Sequence, residues 1–361
     1  MASPTLIIRP DFANQNYGTG DTVTGQVMLL NAKPELIGRV FIELWGRTKT
    51  KIIRRNGNSR VTYRGRHHLF SKVEVIQQTS TPLEAGHTYG FPFSVTFPTT
   101  LPPMADGSDQ GLDKTLPPSF RDDEMEWGAH FESFVEYKLT ANICRHQSNI
   151  VMRTTELALN YVPTLRNDQV VPDGRSTSSS QKFIARSLLL LPENEGRELT
   201  FKEKTKSVFS SSKLPAAAFK FTVSYPTTVL AGDRFLISAG IEHLPGESTA
   251  PTPAVELQSI YISLKGWTNV QAEGVFHNPQ DNLEATLWKK QWINVGLFNK
   301  GEGWTKMLST ALPELLPPTF KTFNMGRSYC FKPRLGGHIY WFYQEEDRES
   351  FRNPFQRLPQ V

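Results

Sequence analysis

Nine lysines and arginines stand in one stretch of the chain with no acid among them: Arg47, Lys49, Lys51, Arg54, Arg55, Arg60, Arg64, Arg66 and Lys72. A guanidinium forks onto carboxylate or phosphate with two parallel hydrogen bonds, and an ammonium adds a compact charge. The stretch is therefore the candidate site for an anionic partner, whether a phosphorylated cytoplasmic tail, an acidic sorting motif or an anionic membrane surface. On such a surface each cation adds about 1 kcal/mol. The alternative is a solvated loop with no ligand, because exposed charge is common. The whole chain has a net charge of +5, so the remainder is net acidic and the basicity is local. Nucleic acid is not expected as a partner. Tyr63 and Phe70 are the only aromatic residues in the stretch and make no stacking platform.

Other residues that could do chemistry point to none. His67 and His68 are adjacent, so in a strand they face opposite ways and cannot share a metal. No Cys-x-x-Cys or His-Glu-x-x-His occurs, and no metal or cofactor is called for. Asp122, Asp123, Glu124 and Glu126 cluster after a Pro-Pro pair and read as a solvated connection rather than an acid–base pair. Trp267, Trp288, Trp292 and Trp304 read as packing residues rather than the lining of a sugar cleft. Ser176 to Ser180 offer hydroxyls for phosphorylation, though a plain flexible linker is the default. No catalytic constellation results, and the chain reads as a non-enzyme.

The elements that carry these residues are strands. Val135, Tyr137, Leu139, Ala141 and Ile143 alternate with polar residues, as a half-buried strand does. Phe91, Phe93, Val95 and Phe97 do the same, with prolines that suit an edge strand. Val40, Ile42 and Leu44 form another apolar face leading into the basic stretch. Asn56-Gly57 inside that stretch predicts a tight type I′ turn, so the cations would share a hairpin. Residues 166–182 are polar and predict a mobile linker; the run Leu188–Leu191 fits a strand or a short helix equally. Alternation returns at Phe219–Tyr225, Phe235–Ile241 and Ile260–Leu264, and Gln344–Val361 predicts a charged tail.

Length and composition agree. The chain's 361 residues suffice for two domains, and 25 prolines and 25 glycines punctuate short apolar runs, as in all-β chains. No run approaches the ~20 apolar residues of a membrane span. Neither a secretion signal nor a disulfide framework is evident, Cys144 and Cys330 being the only cysteines, so an intracellular protein is expected.

Three landmarks recur in one order. Gly20-Asp21-Thr-Val23 matches Gly232-Asp233-Arg-Phe235; Val40 to Gly46 matches Ile260 to Gly266; Leu116-Pro117-Pro118-Ser-Phe120 matches Leu316-Pro317-Pro318-Thr-Phe320. The order implies a duplicated domain.

These landmarks resemble the arrestin family, in particular α-arrestin-like proteins. The resemblance rests on Tyr17, Gly20, Asp21 and Gly25, on the strand ending at Gly46, on Pro117, Pro118 and Phe120, and on the strand centred on Tyr137. Gly232, Asp233, Gly266, Pro317, Pro318 and Phe320 carry it into the second half. It implies an all-β protein of two tandem immunoglobulin-like β-sandwich domains joined by a hinge, at 1–163 and 215–343, with a partly disordered linker at 164–214 and a tail at 344–361. It implies a non-catalytic adaptor for the cytoplasmic tails of transporters or receptors, cytoplasmic and peripheral to the plasma membrane or endosomes. Recruitment of a HECT ubiquitin ligase belongs to the same implication, although no Pro-Pro-x-Tyr is present to recruit one. A retromer-type coat subunit is the alternative within the fold, and a carbohydrate-binding or hydrolytic sandwich the alternative outside it.

Overall fold

The computed structural model describes residues 5–13, 15–78, 82–103, 114–126, 129–163, 175–194, 197–203, 213–251, 254–277, 285–298, 304–314 and 316–340. Among these, strand dominates and helix is confined to single turns, as the period-2 patterning requires. The all-β class is borne out. The chain divides into two compact units, neither contiguous in sequence. The first takes Met1–Arg166, Trp267–Glu284 and Pro317–Ser328, and the second Asn167–Gly266, Ala285–Leu316 and Tyr329–Val361.

The first unit contains β1 (Thr5–Pro10), β2 (Asn16–Tyr17), β3 (Thr22–Leu30), β4 (Glu35–Asn56), β5 (Ser59–Gln78), β6 (Pro82–Leu83), β7 (Thr88–Thr96), β8 (Phe120–Glu126), β9 (Ala129–Arg145) and β10 (Val151–Tyr161). One sheet has the order β1-β3-β7; the other runs β2-β10-β9-β4-β5, with β6 on β4 and β8 on β9. Apolar residues at alternate positions of both sheets meet in one core. Val23, Val27 and Leu29 of β3 and Phe91, Phe93 and Val95 of β7 share it with Ile42 and Leu44 of β4 and Leu139 and Ile143 of β9. Burial of each such side chain stabilises the sandwich by about 2 kcal/mol. β7 is an edge strand, as its prolines foretold.

The motif residues sit where the core is densest. Tyr17, Phe97, Tyr137 and Tyr161 form an aromatic cluster with centroids 5.0–5.9 Å apart. Gly46 sits under the Tyr137 ring, where an added Cβ would fall 2.6 Å from it. Gly20, with φ 79°, makes the turn before β3, and the amide of Gly18 donates to the Asp21 carboxylate at 2.7 Å.

Two later segments complete this unit. β14 (Ala254–Ala272) ends in a hairpin with β15 (Val275–His277), turned by Glu273 and Gly274 at φ 49° and 76°. Val270 and Ala272 pack with Ile52 and Phe131, and Tyr63 and Val275 lean on the same cluster. β18 (Phe320–Lys321) pairs with the start of β19 (Met325–Tyr340). The Phe320 ring meets Phe120 edge-on at 5.2 Å, so the two Leu-Pro-Pro-x-Phe landmarks converge on one core. Between them runs a buried polar seam. Thr48 Oγ1 lies 2.5 Å from Asn324 Oδ1, Thr50 Oγ1 donates to the Gln271 carbonyl at 2.6 Å, and the Gln271 amide donates to the Asn324 carbonyl at 2.8 Å.

The second unit holds β11 (Ser176–Arg186), β12 (Ala216–Pro226), β13 (Arg234–His243) and β17 (Trp304–Ala311) in one antiparallel sheet, and Val255–Gly266 of β14 pairs with β16 (Ala285–Phe298). Gly232, at φ 84°, repeats the turn of Gly20: the Asp233 amide donates to the Leu230 carbonyl as the Asp21 amide does to Gly18. Ile260, Ile262 and Leu264 are buried on β14, as Val40, Ile42 and Leu44 are on β4.

Two expectations are corrected, and one left open between strand and short helix is decided. Ser176–Arg186, read as linker, is an edge strand paired along its length with β12, with Phe183 stacked on Phe219 at 5.3 Å. The backbone ladder and that one ring stabilise a strand whose exposed serines look like loop. The rest of the expected linker at 164–174, 195–196 and 204–212, and the tail at 344–361, lie outside the described residues. The cluster from Asp122 to Glu126 is a strand, β8, rather than a connection, because its backbone pairs with β9. Leu188–Leu190 is a single helical turn, capped by Ser187, which accepts from the Leu189 amide at 3.1 Å.

Candidate functional site

β4 and β5 form one long hairpin, and the basic stretch is its distal half. The turn differs from expectation by one residue. Asn56 pairs with Ser59, so Gly57 and Asn58 are central, and only Gly57 takes a positive φ, 60°, the pattern of type II′. Alternation then sorts the cations by face. Arg47, Lys49, Lys51 and Arg55 of β4 stand opposite His68, Arg66, Arg64 and Arg60 of β5 in register, so these side chains share one face. Arg54 pairs with Val61 on the other face, and Lys72 lies opposite the buried Leu44, also away from the cationic row.

Three of those cross-strand pairs set cation against cation: Lys49 against Arg66, Lys51 against Arg64 and Arg55 against Arg60. Like charges directly opposite destabilise a hairpin by up to about 1 kcal/mol each. The neighbouring strand relieves part of this. β9 places Glu136 beside Arg47 and Glu132 beside Lys51. Arg47 is ion-paired and hydrogen-bonded to Glu136, Lys49 stands 3.7 Å from the same carboxylate, and Lys51 donates to Glu132 at 2.6 Å. Aromatic faces take up more of the charge. The Arg47 guanidinium lies over Trp45 at 4.6 Å and Lys49 over Phe134 at 5.1 Å. Partial burial, and next the nearby Arg47, hold the Lys49 ammonium below the usual lysine range. Lys72 pairs with Glu74 at 3.3 Å in the open, where such a pair contributes little.

The remaining cations have different surroundings. Arg54 donates to the Phe276 carbonyl at 3.1 Å, and the Arg64 backbone amide, not its side chain, donates to Glu273 at 3.3 Å. Arg55, Arg60, Arg64 and Arg66 are exposed, and none has an acidic partner among the described residues. The structure thus divides the nine: Arg47, Lys49, Lys51 and Lys72 are engaged by acids, and the arginines toward the tip are not.

Of the acidic cluster, the described side chains of Asp122 and Asp123 make their contacts away from this face. β9 intervenes between β8 and β4. Asp123 instead contacts His130, while Asp122 accepts from Thr268 and, at 3.2 Å, from the buried Arg327. Sequence reading missed the Asp122–Arg327 pair and the neutralising role of Glu132 and Glu136. The glutamates come opposite the cations only through the register of β4 and β9, and Asp122 meets Arg327 from a different sheet, so neither relationship is visible in sequence. Trp267 is buried and Trp292 packs against a core, as expected of packing residues; the side chains of Trp288 and Trp304 lie outside the described residues.

Residues 7–157 match the family described as Arrestin (or S-antigen), N-terminal domain. That region is an arrestin N-terminal domain, and the resemblance drawn from Tyr17, Gly20, Gly46, Phe120 and Tyr137 is borne out over it. At the family level this supports an arrestin-type adaptor or scaffold that binds other proteins. No curated protein matches the chain. No helix among the described residues is long and apolar enough to cross a membrane.

Proposed function

We propose that this is a non-catalytic intracellular adaptor of arrestin type whose β4–β5 face holds the acidic or phosphorylated cytoplasmic tail of a membrane-protein cargo. The observation that supports it most is the pair Arg64 and Arg66. They stand two residues apart on an edge strand, opposite Lys51 and Lys49, with no acid of their own among the described residues. An extended peptide alongside β5 meets guanidinium groups at the spacing of its own alternate side chains, about 7 Å. In this reading the second half, with its repeated Gly232-Asp233 turn, is the arrestin-like C-terminal counterpart. The setting is transport, endocytosis or ubiquitin-linked signalling at the plasma membrane or endosomes.

The test is titration of the full chain with an acidic peptide, phosphorylated and not, against Arg64→Ser/Arg66→Ser. Loss of two charge-assisted contacts lowers affinity for the phosphorylated peptide about tenfold or more. Equal affinity for both proteins would refute the site. Affinity purification from the native cell with the same pair of proteins then identifies cargo, and recovery of a HECT ligase would establish the ligase-adaptor role.

A further inference from the structure

The tip of the β4–β5 hairpin carries more than charge. Arg55 and Arg60 face each other there, beyond the last β9 residue that pairs with β4, Ala129 opposite Arg54. On the other face Val61 is 39% exposed, and Arg54 binds the carbonyl of Phe276, whose side chain is 68% exposed. Phe276 belongs to β15, which is anchored from behind by Val275, packed on the cluster of Ile52, Phe131, Val270 and Ala272. A large aromatic side chain is thus held in water at the end of two adjoining, anchored hairpins. Arg54 contacts its backbone, and Arg55 and Arg60 stand at the same tip on the opposite face of the hairpin.

We propose that this tip is an anionic-membrane contact: Phe276 and Val61 enter the headgroup–acyl boundary while Arg54, Arg55 and Arg60 bind lipid phosphates and carboxylates. A bilayer offers both chemistries in layers a few ångströms apart, apolar beneath anionic. A phosphopeptide satisfies the arginines and leaves Phe276 wet. The like-charged pair Arg55–Arg60 is relieved by any anion, but only a bilayer also removes the exposed ring from water. Arg64 lies four residues from Arg60 along β5, about 13 Å back from the tip. A tail leaving the bilayer would meet Arg64 and Arg66 next. The inference rests on the anion-binding reading of this hairpin, and different residues test the two.

The experiment is sedimentation of the full chain with vesicles of phosphatidylcholine, with and without phosphatidylserine. The wild type should bind only the anionic vesicles. Arg55→Ser/Arg60→Ser should weaken binding about thirtyfold, and Phe276→Ser about tenfold or more. Phe276→Trp should bind normally, with its emission shifted to the blue and quenched by brominated acyl chains. None of the three substituted positions belongs to a core cluster, and unchanged circular dichroism and phosphopeptide affinity would confirm intact folding. No binding to anionic vesicles, or binding indifferent to both tip variants, overturns the inference. If the tip variants instead abolish phosphopeptide binding and vesicles are ignored, the tip is part of the peptide site: the adaptor reading stands and this one falls. Vesicle binding that depends on the tip, with peptide affinity indifferent to Arg64 and Arg66, leaves this inference standing and removes the proposed peptide site.

Discussion

The Tyr137 hydroxyl donates to the Pro117 carbonyl across 2.6 Å of buried space, tying the Leu-Pro-Pro connection to the central strand β9. Pro117 begins a pair that cannot donate to a ladder, so its carbonyl needs a partner from elsewhere. Burial raises the Tyr137 phenol well above the usual tyrosine range, and it remains a donor throughout the physiological range. Tyr137→Phe keeps the ring in the aromatic cluster and strands the carbonyl. Denaturant unfolding should show a loss of about 1–3 kcal/mol.

Gly46→Ala should cost a comparable amount by a different route. The new methyl meets the Tyr137 ring at 2.6 Å and Phe70 at 3.1 Å, and both rings are buried. Overpacking of this kind costs about 1–3 kcal/mol. Paired with Tyr137→Phe it should be non-additive in a double-mutant cycle, since the two residues touch.

Asp122→Asn removes charge and keeps shape. Arg327 is 6% exposed and reaches both Asp122 and Thr268, the latter at 2.8 Å. Weakening a buried ion pair from one side costs about 3 kcal/mol. Thermal unfolding should drop clearly, while Asp123→Asn, on the exposed side of the same strand, should change little.

His243 gives a pH signature. Burial lowers its pKa below the ordinary histidine value, and its ring stands 5.4 Å from Phe219 and 2.8 Å from the Ser248 hydroxyl. The folded state therefore disfavours the proton that the unfolded chain accepts. Its full contribution is present above the unfolded pKa of about 6.5 and is lost as pH falls from there toward the folded value. His243→Gln should flatten the fall in stability between about pH 7 and 5, measured by unfolding at each pH.

Much of this fold was written in alternation and turn chemistry. Phe91 to Phe97, Val135 to Ile143 and Ile260 to Leu264 are strands because one side of each is apolar, and Gly20 and Gly232 mark the same turn twice. β11 escaped because Ser176 to Gln181 bury nothing; only its pairing with β12 makes it a strand. The nine cations were legible as a group, but their division was not. Glu132 and Glu136 lie more than sixty residues from the lysines and arginine they neutralise, and only register brings them together. Phe276 gave no signal either, being a single aromatic after a turn. Its exposure follows from Val275, next to it, facing inward.

The two returning segments, Trp267–Glu284 and Pro317–Ser328, have a consequence for biosynthesis. The first unit receives Phe320, Asn324 and Arg327 only after most of the chain has been translated. Until then Phe120 lacks the ring that meets it, and Thr48, Thr50 and Asp122 lack the partners that bury them. A ribosome-bound intermediate ending near residue 166 would display that seam to solvent, and folding of the amino-terminal portion would finish only when the last third of the polypeptide emerges.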